Sequence, residues 1–240
     1  MDVPGVLGPE YAEPMTKTPL TYGSASAADD AELALMGLIA YQELTAFEHL
    51  SSDARLSPTL VDRETLGRLA VKEFGHFEMV RERIAERGLD PQEVIEPFMA
   101  SLDEMHRRTK PGDWYESLTK AYVIDGVAAD FYALIASGLE TEVRTLVHEV
   151  KTSEANTEWL RERLQLAITD HPERASRLAL WGRRLLGEAL TQAREIGEKY
   201  DYWGALQMQG PDGRGQEMTR LFARLVENHS RRMRQLGMTA

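Results

Sequence analysis

The sequence contains no cysteine among its 240 residues. This absence excludes disulfides, thiolate metal sites and cysteine nucleophiles, so any bound metal must be held by carboxylates and imidazoles, which suit iron or manganese. No run of about 18 consecutive apolar residues occurs, and no membrane-spanning segment is therefore expected. The chain also lacks a basic N-terminal region followed by an apolar stretch, which predicts a cytoplasmic protein without a signal peptide.

Positive charge is scarce, since 28 lysines and arginines stand against 39 acidic residues and the net charge is −11. This balance argues against broad electrostatic binding of nucleic acid, although a local basic patch could still exist. The arginines that could form such a patch, or could equally be a solvated face paired with acidic residues, are Arg183, Arg184, Arg220, Arg224, Arg231, Arg232 and Arg234. No phosphate-binding loop, nucleophile elbow or zinc-ligand spacing occurs.

Period-two alternation is also missing, and apolar residues instead recur at helical spacing. We predict an all-α fold, with residues 1–28 as a flexible N-terminal segment and 29–240 as a single helical domain. Long helices are expected at 29–52, 59–86, 113–137, 140–169, 171–200 and 215–236, with Gly88 ending the second. The connection after Gly88 contains three prolines and one short helix at 92–107, with His106, Arg107 and Arg108 at its exposed end. Residues 210–213 are expected to form a turn.

Three of these helices carry an acidic side chain at the centre of an apolar stripe. Glu73 and His76 are three residues apart, so they project from one face of the second helix. Glu43 lies in the stripe of the first helix and Asp125 in that of the third. A carboxylate on a buried stripe is costly unless it is paired, hydrogen-bonded or bound to metal. Glu-x-x-His facing inward is also how a four-helix bundle builds half of a di-iron site.

The second helix pair repeats the geometry of the first without its ligand chemistry. Glu43 precedes Glu73 by 30 residues, and Asp125 precedes Ser153 by 28. Ser153 and, three residues on, Asn156 therefore take the places of the second carboxylate and histidine, and both are weak iron ligands. If the alignment of the fourth helix is shifted by one turn, His148 takes the place of the histidine ligand. Thr145, three residues before His148, is then at the carboxylate position and is no carboxylate. Without metal, the buried carboxylates would need protonation or a basic partner, such as His76, Arg144 or Arg183.

These motifs resemble the ferritin-like di-iron carboxylate superfamily. More closely, the run WYESLTKAYVIDGVAADFY at 114–132 and the run LWGRRLLGEAL at 180–190 are similar to an actinobacterial group of ferritin-like proteins. That group is related to the tRNA hydroxylase that acts on the isopentenyl-type adenosine beside the anticodon. The resemblance covers about residues 30–200. It implies a ferritin-like four-helix bundle with one long crossover and one or two additional C-terminal helices.

The resemblance also implies metal ligands at Glu43, Glu73, His76 and Asp125, with one or two iron ions or manganese in their place. The first functional hypothesis is an O2-dependent non-haem iron monooxygenase, with Tyr122 and Tyr132 lining the oxygen pocket. Its substrate could be a tRNA or a small molecule, and the chain could form a homodimer. The alternative is a non-catalytic ferritin-like binding or scaffold protein without a functional metal centre, because one half of the site is degenerate.

Overall fold

The computed structural model describes Tyr22 and residues 27–151, 154–199 and 211–238. These residues form helices joined by short connections and include no strand, which confirms the predicted all-α class. The α-helices are α1 (Ala27–Asp53), α2 (Leu60–Glu86), α3 (Pro91–Ile95), α4 (Met99–Arg108), α5 (Trp114–Ala136), α6 (Thr141–Lys151), α7 (Glu154–Asp170), α8 (Arg174–Lys199) and α9 (Pro211–Gln235). Apart from Tyr22 and the first turn of α1, the predicted N-terminal segment lies outside the described residues.

Helix α1 is the central helix of the bundle, with α2 as its main neighbour. From Ala31 to Glu43 its side chains are buried all round the helix rather than on one stripe. A helix that is apolar on all sides is packed on all sides. Gly37 allows the closest of these approaches, because a Cβ there would lie 2.2 Å from the carbonyl oxygen of Val94 in α3.

The second and third long helices end and begin as their sequences predict. Thr59 caps α2 by accepting a hydrogen bond from the backbone N–H of Asp62, and Asp113 caps α5 by accepting one from that of Glu116. Gly88 follows α2 with a φ of 78°, the left-handed conformation that glycine adopts most readily. The connection between them contains α3, a 3-10 turn around Pro97 and α4, so the long crossover is itself helical.

One predicted boundary is wrong, and another lies partly outside the described residues. The helix expected at 140–169 is described as α6 and α7, and residues 152–153 between them lie outside the described part. The turn expected at 210–213 is the start of α9, because Pro211 lacks an N–H and fits the first position of a helix. Gly210 itself is not among the described residues.

Helices α8 and α9 are the additional C-terminal helices, and both pack on α5. The indole N–H of Trp181 donates to the carbonyl oxygen of Glu116 at 3.0 Å, and Arg232 pairs with Asp130 at 2.6 Å. These contacts fasten α8 and α9 to the same bundle. No helix within the described ranges is both long and apolar enough to cross a membrane.

Candidate metal centre

Three of the four predicted ligands meet between α1 and α2. Nδ1 of His76 lies 3.2 Å from Oε2 of Glu73 and 3.3 Å from Oε2 of Glu43. One ligand atom from each residue lies within 4.8 Å of the others. Two atoms that each bind one ion at about 2.1 Å are separated by about 3.0–3.4 Å, depending on the coordination angle. The observed separations therefore fit one metal ion held by Glu43, Glu73 and His76.

The fourth predicted ligand, Asp125, does not join this cluster. Its carboxylate lies on α5 with a side chain that is 48% exposed, and it pairs with the ammonium of Lys151 at 3.3 Å. The same ammonium donates a short hydrogen bond to Oε1 of Glu43. Lys151 thus stands between the carboxylates of the two helix pairs, where the resemblance places the second metal ion.

Lys151 was not predicted from the sequence. Of the predicted basic partners, His76 contacts both Glu43 and Glu73, whereas Arg144 does not reach the cluster. The side chain of Lys151 is only 9% exposed, and its ammonium lies 5.6 Å from the ring centroid of Tyr132. Arg144 instead donates to Leu139 and Thr141. A lysine at the end of a helix with exposed neighbours normally reaches solvent. This one instead points into the bundle, toward Glu43 and Asp125.

The other residues expected in the second half of the site do not supply ligands in the described structure. His148 lies on the exposed side of α6, so the shifted alignment that would bring it into the site is wrong. Ser153 lies outside the described residues, and of Asn156 only the helical backbone is described. Tyr132 is buried beside Lys151, whereas Tyr122 lies near the charges of Arg161 and Arg232.

The charges of the cluster depend on one another. Burial raises the pKa of Glu73, and the neighbouring Glu43 carboxylate raises it further. Burial opposes ionisation of Glu43 too, but the Lys151 ammonium outweighs it and lowers the pKa of Glu43. Burial opposes the protonation of His76, yet hydrogen bonds to the two carboxylates raise its pKa above the usual value. With Glu73 ionised and His76 neutral, as metal binding requires, three carboxylates against one ammonium leave two negative charges, which one divalent cation would neutralise.

The donor set therefore fits one ion and does not fit two. A di-iron centre needs a second carboxylate and histidine facing the first pair. Among the described residues, the position opposite Glu43 is filled by the Lys151 ammonium. One carboxylate–histidine half of the centre is present.

Polar side chains that were not predicted as functional line a cavity beside the cluster. The cavity has a volume of about 80 Å³ and reaches Glu73, Asp125 and Lys151 at one end. At the other end it reaches His49, Asp53, His106 and Lys120. The prediction of an exposed His106 is wrong, because its side chain turns from α4 into the bundle and is 7% exposed.

A helical bundle with inward carboxylates and a Glu-x-x-His motif defines the ferritin-like class of proteins. The family of ferritin-like domains from actinomycetes matches residues 27–210, and the chain belongs to that family. A solved structure described as protein 19 with aldehyde deformylating oxidase activity, from Synechococcus, has a similar fold. The TM-score is 0.53 with 19% identity, over 90% of this chain and 98% of that one. No curated protein matches the sequence.

Proposed function

We propose that this protein is an O2-dependent oxygenase with a single non-haem iron ion held by Glu43, Glu73 and His76. The observation that carries the proposal is the buried cluster of these three donors at the wall of an internal cavity. Two carboxylates and one imidazole are a ligand set that suits iron and leaves coordination positions open. The oxidase activity by which the Synechococcus protein is described is consistent with this class of chemistry.

Each residue near the ion has a distinct task under this proposal. Glu43 binds through Oε2 because its other oxygen accepts from Lys151. Lys151 holds a fixed positive charge between Glu43 and Asp125, which substitutes for a second metal ion. Bound iron(II) would supply the redox chemistry that activates O2.

The cavity gives a substrate a place beside the Glu73 carboxylate of the cluster. Leu50, Leu69, Ile124 and Leu160 form its apolar walls. Hydroxylation of a C–H bond uses one O2, two electrons and two protons and forms an alcohol and one water. An external reductant must supply the electrons. A hydroxylase that acts on a modified adenosine of tRNA stays one version of this proposal.

Anaerobic titration with iron(II), followed by metal analysis, tests the proposal. We expect one ion per chain and O2 consumption when the loaded protein meets air and a reductant. Two ions per chain would contradict the replacement of one ion by Lys151. No bound ion would overturn the oxygenase and favour the alternative of a non-catalytic binding or scaffold protein.

Two carboxylate-to-amide substitutions provide a matched comparison. Glu73→Gln removes an oxygen of the three-donor cluster and should abolish iron binding at micromolar iron. Asp125→Asn changes a carboxylate that contacts Lys151 and should retain one ion per chain. If Asp125→Asn loses the ion as completely as Glu73→Gln, Asp125 is a ligand, as the family resemblance implies.

A further inference from the structure

The end of the cavity away from the metal cluster contains two buried nitrogen-bearing side chains without partners. Lys120 of α5 is 5% exposed and His106 of α4 is 7% exposed. Neither the Lys120 ammonium nor either ring nitrogen of His106 has a hydrogen-bond partner within the described ranges. Leaving a buried polar group without a partner is energetically unfavourable, and leaving a charged group so is more unfavourable still. Both side chains line the cavity, so a ligand there could satisfy both.

The charges at this end favour an anion. Burial lowers the pKa of Lys120 to about 8, so the amine remains mostly protonated near pH 7. The Asp53 carboxylate attracts the Lys120 ammonium but makes no hydrogen bond with it, so the donors of the ammonium stay open to a ligand. Asp53 accepts from the hydroxyl of Ser117 at 2.6 Å, and Asp103 accepts from the hydroxyl of Tyr41 at 2.6 Å.

Histidine pairs can bind metal, but the arrangement here disfavours a cation. The rings of His49 and His106 lie 4.3 Å apart between centroids. Burial and the charge of Lys120 together lower the pKa of both rings, so both are neutral at pH 7. The same ammonium would repel a metal ion placed between them. A neutral His106 can instead donate one N–H to an anion.

The other ammonium in the cavity is not available to an anion. Lys151 already contacts the carboxylates of Glu43 and Asp125. Glu73 and Asp125 lie at the same end and would repel a second carboxylate. An anionic group therefore belongs at the Lys120 end, with the rest of the ligand along the apolar walls.

The cavity also has a route to the surface at the Lys120 end. A surface depression of about 470 Å³ shares His49, Asp53, His106 and Lys120 with the cavity. These four side chains form the wall between outside and inside. A ligand that enters from the depression would bring its apolar part toward Glu73 and leave its charged group at the wall.

We propose that this cavity binds a small aliphatic monocarboxylate, with its carboxylate on Lys120 and His106 and its alkyl chain directed toward Glu73. One water needs about 10–15 Å³ of such volume, so 80 Å³ accommodates about six to eight non-hydrogen atoms. Hexanoate, with eight, is the probe of choice. That the bound carboxylate is the substrate rests on the proposed oxygenase function, whereas its binding does not.

Calorimetric titration of the chelator-treated, metal-free protein with hexanoate and with hexanamide tests the site. The amide has the same shape without the charge, so we expect hexanoate to bind at least roughly tenfold more tightly. Lys120→Met should remove that preference. Lys110→Met, which changes an exposed lysine at the same surface depression, should leave it intact.

A second measurement does not depend on any variant's folding. Hexanoate should shift the side-chain 15N resonances of His106 in the unmodified protein, and hexanamide should shift them much less. Equal affinities for the two ligands, no binding of either, or a preference that survives in folded Lys120→Met would each overturn the site. Because metal is absent throughout, a failure here is distinct from a failure to bind iron.

Discussion

At the scale of single residues, Lys151 determines what the metal site can be. A lysine ammonium is a compact positive charge, and its approach to both Glu43 and Asp125 is the approach expected of a cation. It is the last residue of α6, where the helix dipole also favours positive charge. Under the proposed function, this one side chain replaces a metal ion and its ligands.

Lys151→Met tests this substitution of a side chain for an ion. Removing one partner of a buried ion pair leaves the other uncompensated and typically costs about 3–5 kcal/mol. We expect a loss of about 3 kcal/mol in the free energy of unfolding, measured by urea denaturation in EDTA at pH 7. Added manganese should restore more stability in the variant than in the parent protein.

The matched control for that experiment is Lys110→Met, which should change stability by less than about 0.5 kcal/mol because Lys110 is exposed. An equally small effect for Lys151→Met would mean that the contact with Glu43 contributes little.

The neighbouring histidines His49 and His106 predict an acid-sensitive fold. Burial lowers the pKa of His49 to about 4 and that of His106 to about 2, below the unfolded value of 6.5. Below pH 6.5 the unfolded chain therefore binds protons that the native state does not, and stability falls as the pH falls. Each histidine contributes a slope of up to about 1.4 kcal/mol per pH unit.

Urea denaturation of His106→Gln between about pH 6.5 and 4.5 checks this prediction. The substituted side chain cannot titrate, so the stability of the variant should depend on pH less steeply than that of the parent, by up to one proton. Parallel curves for the two proteins would show that His106 is protonated in the native state.

At the scale of secondary-structure elements, the close contact of α1 with α3 brings the crossover onto the bundle. Glycine at position 37 is required by space rather than by backbone conformation. A Cβ there would meet the carbonyl oxygen of Val94 at 2.2 Å and the ring of Phe98 at 2.9 Å. Because a backbone atom is the obstacle, rotation of a side chain cannot relieve the clash.

Gly37→Ala should therefore destabilise the protein by about 3 kcal/mol or more, as overpacking of a core does. Gly67→Ala is the matched control, since Gly67 also lies inside a helix but a Cβ added to it would meet nothing within 4 Å. It should be neutral or stabilising by about 0.5–1 kcal/mol, because alanine favours helix. Thermal and urea unfolding of the two variants distinguish the cases.

At the scale of the whole molecule, the metal cluster and the ion pair connect different parts of the bundle. Glu43, Glu73 and His76 belong to α1 and α2 alone. Lys151 belongs to α6 and Asp125 to α5. The contact of Lys151 with Glu43 therefore links the helix pair α1–α2 to the pair α5–α6. A bound ion should stabilise the first pair without being needed to hold the second against it.

Metal binding should consequently raise the stability of a chain that already folds without it. An ion present at about 100 times its Kd adds about 2.7 kcal/mol to the free energy of unfolding. Anaerobic thermal unfolding with and without iron(II) should show a higher Tm with the ion for the parent and for Asp125→Asn. His76→Ala should show no shift, and an equal shift in that variant would place the ion elsewhere.

Binding of tRNA stays a prediction at this scale. Several arginines that could form a basic patch are engaged within the chain. Arg232 pairs with Asp130, Arg184 donates to the carbonyl oxygen of Arg108, and Arg231 contacts Asn228.

The sequence by itself determined the helical class, most of the helix boundaries and the candidate metal cluster of Glu43, Glu73 and His76. Each of these follows from local physics: the helical period places Glu73 beside His76, and capping residues end helices wherever they occur. Glu43 was predictable too, because a lone carboxylate in an apolar stripe needs a partner.

Only the tertiary structure decided the second half of the site and the far end of the cavity. Lys151, Lys120 and His106 lie outside any recognisable motif, and a lysine or histidine near a helix end usually reaches solvent. Their burial depends on the packing of α4, α5 and α6 against the rest of the bundle. Those are long-range contacts, and they determine which charges face each other in the core.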